Sequence, residues 1–430
     1  MDKLKTQRWH DGLFAGVMTA LPLAASLFVV TNLLVMTGMP FTGVYTASFV
    51  TAIIGTILMG RCRLAVAAAP GLALTSWLVY IVILARGVSW QMVLFMGAAA
   101  SLVSFLLLAG APRFPWLQQL PEKLMPPCLR RALRGAVGLM LIALGLFEGR
   151  LLMGAPTGLL QLGGFSDPMA YLSFTGILVL FGLMAMKKRW APGAAFLVTA
   201  VLAFIGGFWV LPDAPFLQPE GLDRTGLQLI FMTGWQTISP ACYFDLSVFL
   251  LLFLLVSGAG SLTALAPEAA KRKPLCLLSL VSFIGCLLGT MPVMAAPESA
   301  VGQAVGSSRP QRMAYWTAAV LALLLVAEPV MASLASFAAV MVPVLVGAGI
   351  VMLRRMGPVF QGDFAEQAAA GVLFLLLPLT QDIAAGLGAS VIAYVCLKLL
   401  AGCDDEVPRP MRVLAVCFAL YFFFGFWSMI

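Results

Sequence analysis

The sequence predicts an all-α membrane protein of about 14 transmembrane helices, arranged as two halves of opposite orientation. Two observations support this fold class. The 430 residues are 61% hydrophobic and only 10% charged, a composition well outside that of soluble globular domains. Apolar stretches long enough to cross a bilayer also recur along the whole chain, separated by short polar connections. We therefore expect a multi-pass protein that has the lipid bilayer as a partner.

The apolar stretches give seven predicted spans in each half of the chain. Because seven is an odd number, the second half starts from the opposite face of the membrane, which an inverted-topology repeat requires. The polar and mainly acidic connection at 211–240 is the natural boundary, so the predicted repeats are 1–215 and 216–430. The predicted spans are 12–36, 42–60, 64–86, 90–110, 131–152, 169–186, 191–212, 243–266, 274–290, 291–307, 313–333, 335–353, 363–400 and 411–429.

The stretch 363–400 is the least regular of these spans. It is interrupted by Pro378 and the polar residues that follow, and it is long for one helix and short for two crossings with a loop. We interpret it as one span built from two half-helices. Asp382 lies at the break, where it is either a gate or ion contact or the cap of the second half-helix.

The basic residues predict the orientation of the chain. They cluster on alternate connections, for example at 3–8, 61–63, 187–189 and 271–273. Because cytoplasmic connections are enriched in Lys and Arg, this pattern predicts a cytoplasmic N-terminus, in the inner (plasma) membrane of a bacterium. The same sorting accounts for the net charge of +8, so a nucleic acid is not an expected partner.

Several classes of chemistry find no support in the sequence. His10 is the single histidine and lies at the polar start of the chain, which argues against a histidine metal site or a catalytic triad. The eight cysteines are scattered without metal-binding or disulfide spacing, and a Gly-rich phosphate loop ending in Lys-Ser or Lys-Thr is absent. We expect neither an enzyme nor a cofactor or metal.

The segment 291–302 places a carboxylate inside apolar sequence. Glu298 follows Pro297, a residue suited to the first turn of a helix, and Pro292 disfavours a continuous helix before it. The sequence therefore predicts an extended segment that leads into a helix starting within the membrane. Such a break leaves backbone N–H groups free to form a polar site.

A second segment of this kind spans 68–76, where two alanines and Pro70 again precede an apparent helix start. The two prolines lie about half the chain apart, and interrupted spans at matching positions of two halves indicate the binding site of a secondary transporter. Ordinary proline kinks between packed helices are the alternative. We expect the two breaks to face each other across a cavity that contains Glu298.

Other polar and aromatic residues on these spans are candidate solute contacts. Ser257, Thr75, Ser299 and Gln303 are able to hydrogen-bond a solute, although Ser and Thr in membrane helices often bond their own helix instead. Trp77 and Tyr80 are able to stack on a planar ring or to pack in the core. A carboxylic acid in a low-dielectric site holds a proton more readily than it does in water, so Glu298 is the candidate for proton coupling.

Three segments resemble the nucleobase/ascorbate transporter superfamily, and within it the AzgA-like guanine/hypoxanthine permeases. Gly289 to Gly306 resembles the family's tenth-span motif, Ala69 to Thr75 its third, and Pro378 to Gly386 with Ile392 to Leu400 its thirteenth. The resemblance runs nearly the full length of the chain. Two positions depart from the family pattern: Ser257 stands where the family has an acidic residue of span 8 that contacts the base, and Thr75 replaces an asparagine.

The resemblance implies a uracil-permease-like fold with short antiparallel strands in spans 3 and 10, at Leu64–Ala67 and Met291–Met294. It implies a core domain of about 12–110 plus 243–333 and a gate domain of about 131–212 plus 335–430, with a homodimer formed through the gate helices. The residues predicted to bind the substrate, from the sequence and the resemblance together, are Glu298, Ala296, Ser299, Ser257, Thr75, Gly71 and Trp77.

These observations together predict an inner-membrane secondary transporter for a small planar solute. A purine-like nucleobase is the favoured substrate, with alternating access of core against gate and coupling to H⁺, or to Na⁺, through Glu298. Two alternatives stay open. One is a transporter of the same fold that carries an organic or inorganic anion at the facing helix N-termini. The other is a membrane sensor or assembly protein that does not transport.

Overall fold

The protein was analysed as a computed structural model. It describes residues 2–110, 126–154, 160–164, 166–188, 190–209, 216, 240–266, 272–306, 309–330, 333, 337–381 and 383–427. The helices are α1 Asp2–Val35, α2 Phe41–Arg61, α3 Leu72–Trp77 with a π-helical continuation Leu78–Ala85, α4 Trp90–Gly110, α5 Pro127–Glu148, α6 Pro168–Ala185, α7 Ala191–Ile205, α8 Pro240–Leu265, α9 Arg272–Leu288, α10 Ser299–Val305, α11 Pro310–Val326, α12 Val342–Arg355, α13 Phe364–Thr380, α14 Ile383–Leu400 and α15 Arg409–Trp427. The strands are β1 Ala68–Pro70, β2 Leu152–Gly154, β3 Leu160–Leu162 and β4 Val293–Ala295.

Prolines and acidic caps set many of the helix starts. Helix α6 begins at Pro168 after Asp167, whose Oδ1 accepts a 3.0 Å hydrogen bond from the amide of Met169. Helix α13 begins after Asp363, whose Oδ1 accepts from the amide of Glu366 at 3.1 Å. Both arrangements satisfy N–H groups that the first turn of a helix leaves without intrahelical partners.

The membrane class predicted from composition is supported by the long helices. Four described helices have at least 18 residues and are apolar enough to cross a bilayer. They are Gly12–Val35, Phe41–Arg61, Trp90–Gly110 and Pro168–Ala185. All four lie in predicted spans of the first half, and several shorter apolar helices pack around them.

Strands β1 and β4 bring the two halves of the chain together. They pair antiparallel, with Ala69 opposite Met294 and with Pro70 opposite Val293. The pairing extends beyond the strands at both ends, from the amide of Ala296 to the carbonyl of Ala67 at 2.9 Å and from the amide of Gly71 to the carbonyl of Pro292 at 3.4 Å. Antiparallel strands in the third and tenth segments were expected, and they occur.

The predicted position of the first strand was wrong. It was expected at Leu64–Ala67 and lies instead at 68–70. The reason is the end of α2: Arg63 has a φ of 60°, and the amides of Arg63 and Leu64 turn back to the carbonyls of Gly60 and Met59. This Schellman-type cap uses the amide of Leu64, so the strand begins later. The second strand, Val293–Ala295, overlaps its predicted range.

The prediction of a single span at 363–400 was also wrong. Helices α13 and α14 pack side by side as an antiparallel hairpin. Ser390 Oγ donates to the carbonyl of Ala369 at 2.7 Å, and Lys398 Nζ lies 2.8 Å from Asp363 Oδ2. The two ends of the hairpin therefore lie side by side, and Gln381 is at its tip.

Close backbone contacts pack the helices together. Helix α5 packs against α12 and α13, while α1 and α2 pack against α11, and α4 packs against α9. At the α5–α12 crossing Gly138 and Gly349 face each other so closely that a methyl group on Gly349 would lie 2.4 Å from the carbonyl oxygen of Gly138. Small residues permit this kind of approach between helices in lipid.

Candidate functional site

Two short helices begin within the bundle at adjacent points of the β1–β4 sheet. Helix α3 starts after Pro70 and Gly71, and α10 starts after Pro297 and Glu298. The amide of Gly71 bonds the carbonyl of Pro292 at 3.4 Å, so the two breaks are neighbours in space. The breaks predicted from the two prolines thus occur as extended segments that each lead into a helix.

Glu298 occupies the junction of β4 and α10. Its residue is 7% exposed, and it does not cap its own helix. Its Oε1 accepts a 2.6 Å hydrogen bond from Ser26 Oγ on α1. A buried carboxylate needs such a partner, because an unpaired charge in the protein interior is costly.

Glu298 lines a cavity of about 690 Å³, a volume that includes space open to solvent. Its lining is mainly apolar with a few polar groups, a composition that small-molecule sites share. Three polar side chains line it, those of Ser26, Glu298 and Gln381. The other lining residues are Leu23, Leu27, Ala69, Pro70, Gly71, Leu72, Met140, Leu141, Leu144, Met294, Ala296 and Pro297.

Three of the residues predicted at the substrate line this cavity: Glu298, Ala296 and Gly71. Ser299 and Thr75 lie beside it with their hydroxyl groups engaged. Ser299 Oγ accepts from the amide of Ala67 at 2.8 Å, and Thr75 Oγ1 donates to the carbonyl of Gly71 at 2.8 Å. Both hydroxyl groups therefore bond the backbone near the breaks. Ser299 links the two interrupted segments, and Thr75 bonds the first turn of its own helix, α3.

The remaining predicted residues lie away from the described lining. Ser257 is 1% exposed on α8, and its hydroxyl has no hydrogen-bond partner within the described ranges. Trp77 is half-buried and packs against a hydrophobic cluster formed with α4, while Tyr80 is 48% exposed. Gln303 Nε2 donates to the carbonyl of Ala65 at 2.7 Å. The predicted gate residue Asp382 lies outside the described residues.

Ser26 and Gln381 were not predicted as site residues. Ser26 lies four residues after Pro22, which is inside α1, and that proline in an apolar helix was a weak signal. Gln381 lies in the Pro378 motif, where only the neighbouring Asp382 was singled out. The contact of each with the cavity depends on how distant elements pack, which local sequence does not encode.

A second cavity of about 510 Å³ adjoins the first. The two cavities share Ser26, Leu72 and Leu144, and the second also contains Glu148, at the end of α5. Its other lining residues are Pro22, Ala25, Val29, Ala338, Met341 and Leu345. Ser26, Leu72 and Leu144 therefore border both cavities, and each cavity contains one acidic side chain.

Comparison with known proteins places these features in context. No model of a protein family matches the chain. A candidate permease of Methanocaldococcus jannaschii is 30% identical over 416 residues, covering 95% of this chain and 93% of the relative. A guanine/hypoxanthine permease of Bacillus subtilis is 25% identical, covering 96% of both chains. An adenine permease of Escherichia coli is 24% identical, covering 95% of this chain and 91% of that protein.

Solved structures show the fold. The transmembrane domain of a cyanobacterial bicarbonate transporter, BicA, superposes with a TM-score of 0.51 at 14% identity, covering 90% of this chain and 97% of that domain. SLC26A9 superposes with a TM-score of 0.52 at 10% identity, covering 91% of this chain and 66% of that chain. At these identities the likeness concerns the fold alone, and it extends over nearly all of the chain.

Proposed function

This chain belongs to a divergent branch of the nucleobase permeases, and we propose that it carries a purine-like nucleobase across the inner membrane by secondary active transport. It is a multi-pass membrane transporter and not an enzyme. One observation carries the proposal on the substrate. A buried carboxylate, Glu298, lines an apolar cavity at the point where the two broken segments pair.

The chemistry of the cavity fits a small planar solute with N–H groups. An ionised carboxylate accepts hydrogen bonds but donates none, so Glu298 is suited to the ring or exocyclic N–H groups of a purine. The apolar lining residues, among them Leu27, Met140 and Met294, provide apolar contacts for the faces of the ring. Relatives named as guanine/hypoxanthine and adenine permeases support a purine over other planar solutes.

Proton coupling is proposed through the same residue. With Glu298 ionised, Ser26 donates to it at 2.6 Å, and protonation would remove the charge that this hydrogen bond stabilises. A carboxylate that changes its charge state within the solute cavity links proton movement to solute binding. Coupling to H⁺ is therefore favoured over coupling to Na⁺, for which the described lining offers Glu298 as its single charged group.

Alternating access is proposed as movement of a core domain, 12–110 plus 243–333, against a gate domain, 131–212 plus 335–430. The two domains would be built from inverted repeats 1–215 and 216–430. The composition of the cavity wall supports this division, because the lining combines core residues such as Ser26 and Glu298 with the gate residues Met140, Leu141, Leu144 and Gln381. A cytoplasmic N-terminus and a homodimer through the gate helices complete the proposal.

An anion as substrate is less well supported. The fold is shared with a bicarbonate transporter, but the described lining contains no Lys or Arg, and its one charged group is the acidic Glu298. An ionised Glu298 would repel an anion. Relatives named as permeases support a transporter over a sensor.

The experiment is uptake by proteoliposomes with and without an imposed pH gradient. We expect labelled hypoxanthine, guanine or adenine to accumulate when the lumen is alkaline, and Glu298→Gln to abolish accumulation against the gradient while the protein still inserts. Glu366→Gln makes the same substitution on α13, outside the cavity lining, and serves as the matched control. Uptake of an organic anion without nucleobase uptake would replace the proposal with the anion transporter, and an absence of all uptake would favour the sensor.

A further inference from the structure

We infer that Gln381, at the tip of the α13–α14 hairpin, contacts the solute from the gate side of the cavity and determines which purines are accepted. This inference rests on the proposed function and deepens it. Of the cavity residues contributed by α5 and the hairpin, Gln381 is the polar one, and Met140, Leu141 and Leu144 are apolar. The carboxamide is therefore the hydrogen-bonding group that the gate side presents to the described cavity.

The backbone at Gln381 supports a role for the side chain. Gln381 has a φ of 55° and a ψ of 14°, the left-handed conformation that glycine and asparagine adopt more readily than glutamine. The other described non-glycine residues with positive φ are Arg63, Arg150 and Lys187, and all three are exposed. Gln381 alone of this set faces the cavity. Backbone strain at a cavity is a reason to look for function there.

The hairpin holds this tip in place. Leu377 and Gly386, on either side of the tip, are in contact, and the amide of Gln381 donates to the carbonyl of Leu377 at 2.9 Å. At the far end, Lys398 pairs with Asp363 and with Glu406. Helix α13 also packs along α5, which supplies the neighbouring lining residues. These contacts fix the position of the hairpin tip that carries the Gln381 side chain.

A carboxamide complements Glu298 chemically. Glu298, when ionised, only accepts hydrogen bonds, whereas a carboxamide both donates and accepts. Hypoxanthine and guanine carry an acceptor oxygen at the position where adenine carries a donor amino group. With Glu298 on the core side of the cavity and the Gln381 carboxamide on the gate side, the carboxamide is the group that can donate a hydrogen bond to the oxygen of an oxopurine. The side chain at 381 is therefore expected to set the preference between oxopurines and adenine.

The test is Gln381→Glu, which keeps the size of the side chain and replaces the donor by an acceptor. Unlabelled hypoxanthine and adenine compete against whichever labelled purine the wild-type proteoliposomes take up. We expect the ratio of their inhibition constants to move toward adenine by about tenfold or more, since a site that loses a hydrogen-bond donor rejects the group that needed it. Gln367→Glu makes the same change at the other end of α13 and is expected to leave the ratio unchanged.

Two further variants separate contact from folding. Gln381→Gly removes the side chain and suits the left-handed backbone, so we expect normal thermal stability with the selectivity lost. Gln381→Asn keeps the carboxamide one methylene shorter and is expected to give an intermediate ratio. An unchanged ratio in Gln381→Glu, or an equal loss of both purines in the stable Gln381→Gly protein, would overturn the inference. If the wild-type protein takes up no purine, the proposed function fails first.

Discussion

The hydrogen bond from Ser26 to Glu298 links α1 to the junction of β4 and α10 with a separation of 2.6 Å. Hydrogen bonds to charged groups contribute about 1.5–3 kcal/mol, and removal of the donor leaves the buried carboxylate without that stabilisation. Ser26 is a positioning residue by this geometry. It holds the carboxylate in one place within the cavity wall.

We expect Ser26→Ala to lower purine uptake by roughly tenfold or more, because about 1.4 kcal/mol corresponds to tenfold in an equilibrium constant. Ser26→Thr, which retains the hydroxyl, should recover most of the loss. The measurement is initial uptake over a range of purine concentrations and external pH. A merely structural role for Ser26 would leave the pH profile of the alanine variant superimposable on that of the wild type.

At the residue scale, the sequence identified some of the residues that line the cavity and missed others. Glu298, Gly71 and Ala296 were predicted because the proline breaks at 70 and 297 are visible in the local sequence. Ser26 and Gln381 reach the same cavity only because α1 and the hairpin pack beside it. Ser299 and Thr75 were predicted as solute contacts, yet their hydroxyl groups bond backbone instead.

The α13–α14 hairpin is closed at its base by charge. Lys398, which is 4% exposed, bonds both Asp363 and Glu406. The hydrogen bond from Lys398, aided by the amide of Glu366, lowers the pKa of Asp363 below its usual range. The side chain of Asp363 is 44% exposed, so solvent screening limits the contribution of this pair to about 1 kcal/mol or less.

We expect Asp363→Asn to lower the thermal stability of the detergent-solubilised protein at neutral pH, although asparagine still caps α13. Because the pKa of Asp363 is lower in the folded state, its stabilisation is present above the pKa of the unfolded chain. It is lost as the pH falls through the lowered pKa of the folded state. Thermal melts of both proteins at neutral and acidic pH check this. A difference of equal size at both pH values would contradict the assignment.

At the element scale, turns decided where the predictions failed. Helix α13 ends at Thr380 and α14 begins at Ile383, so almost no polar sequence is left to mark two separate helices. The stretch 363–400 therefore resembled one interrupted span. The first strand begins later than predicted for a similar reason, since the cap of α2 at Arg63 and Leu64 extends past the last helical residue. Caps and tight turns depend on single backbone conformations.

At the scale of the whole molecule, residues of both the proposed core and the proposed gate line the cavity. Leu72 on α3 and Leu144 on α5 both line the two adjoining cavities, one on the proposed core and one on the proposed gate. If the core moves against the gate during transport, the separation of these two residues must change in each cycle. Their position allows the proposed movement to be blocked directly.

We expect a short thiol crosslink between Leu72→Cys and Leu144→Cys to stop uptake, in a background whose native cysteines are replaced. Reduction of a cleavable crosslinker should restore uptake, and each single cysteine variant should remain active after the same treatment. The measurement is purine uptake before and after crosslinking. Unimpaired uptake by a fully crosslinked protein would rule out relative movement of these two elements.

The large-scale prediction succeeded because it rested on long signals. The multi-pass membrane class followed from 61% hydrophobic composition and repeated apolar stretches, and the pairing of two interrupted segments followed from their matching sequences. The prediction of one span at 363–400 was wrong because it depended on a single turn. Long periodic patterns average over many residues, whereas a reversal is set by one or two.

The β1–β4 pairing has a consequence for how this protein is made. Strand β1 lies in the first half of the chain and its partner β4 in the second, so a ribosome delivers β1 to the membrane long before β4 emerges. Until then the backbone groups of 68–70 lack their sheet partner, and unpaired backbone groups are costly within a bilayer. During synthesis the unpaired β1 strand must therefore be protected, within the insertion machinery or against α2. A product truncated before Met291 lacks β4, and we expect it to be recognised as defective and degraded.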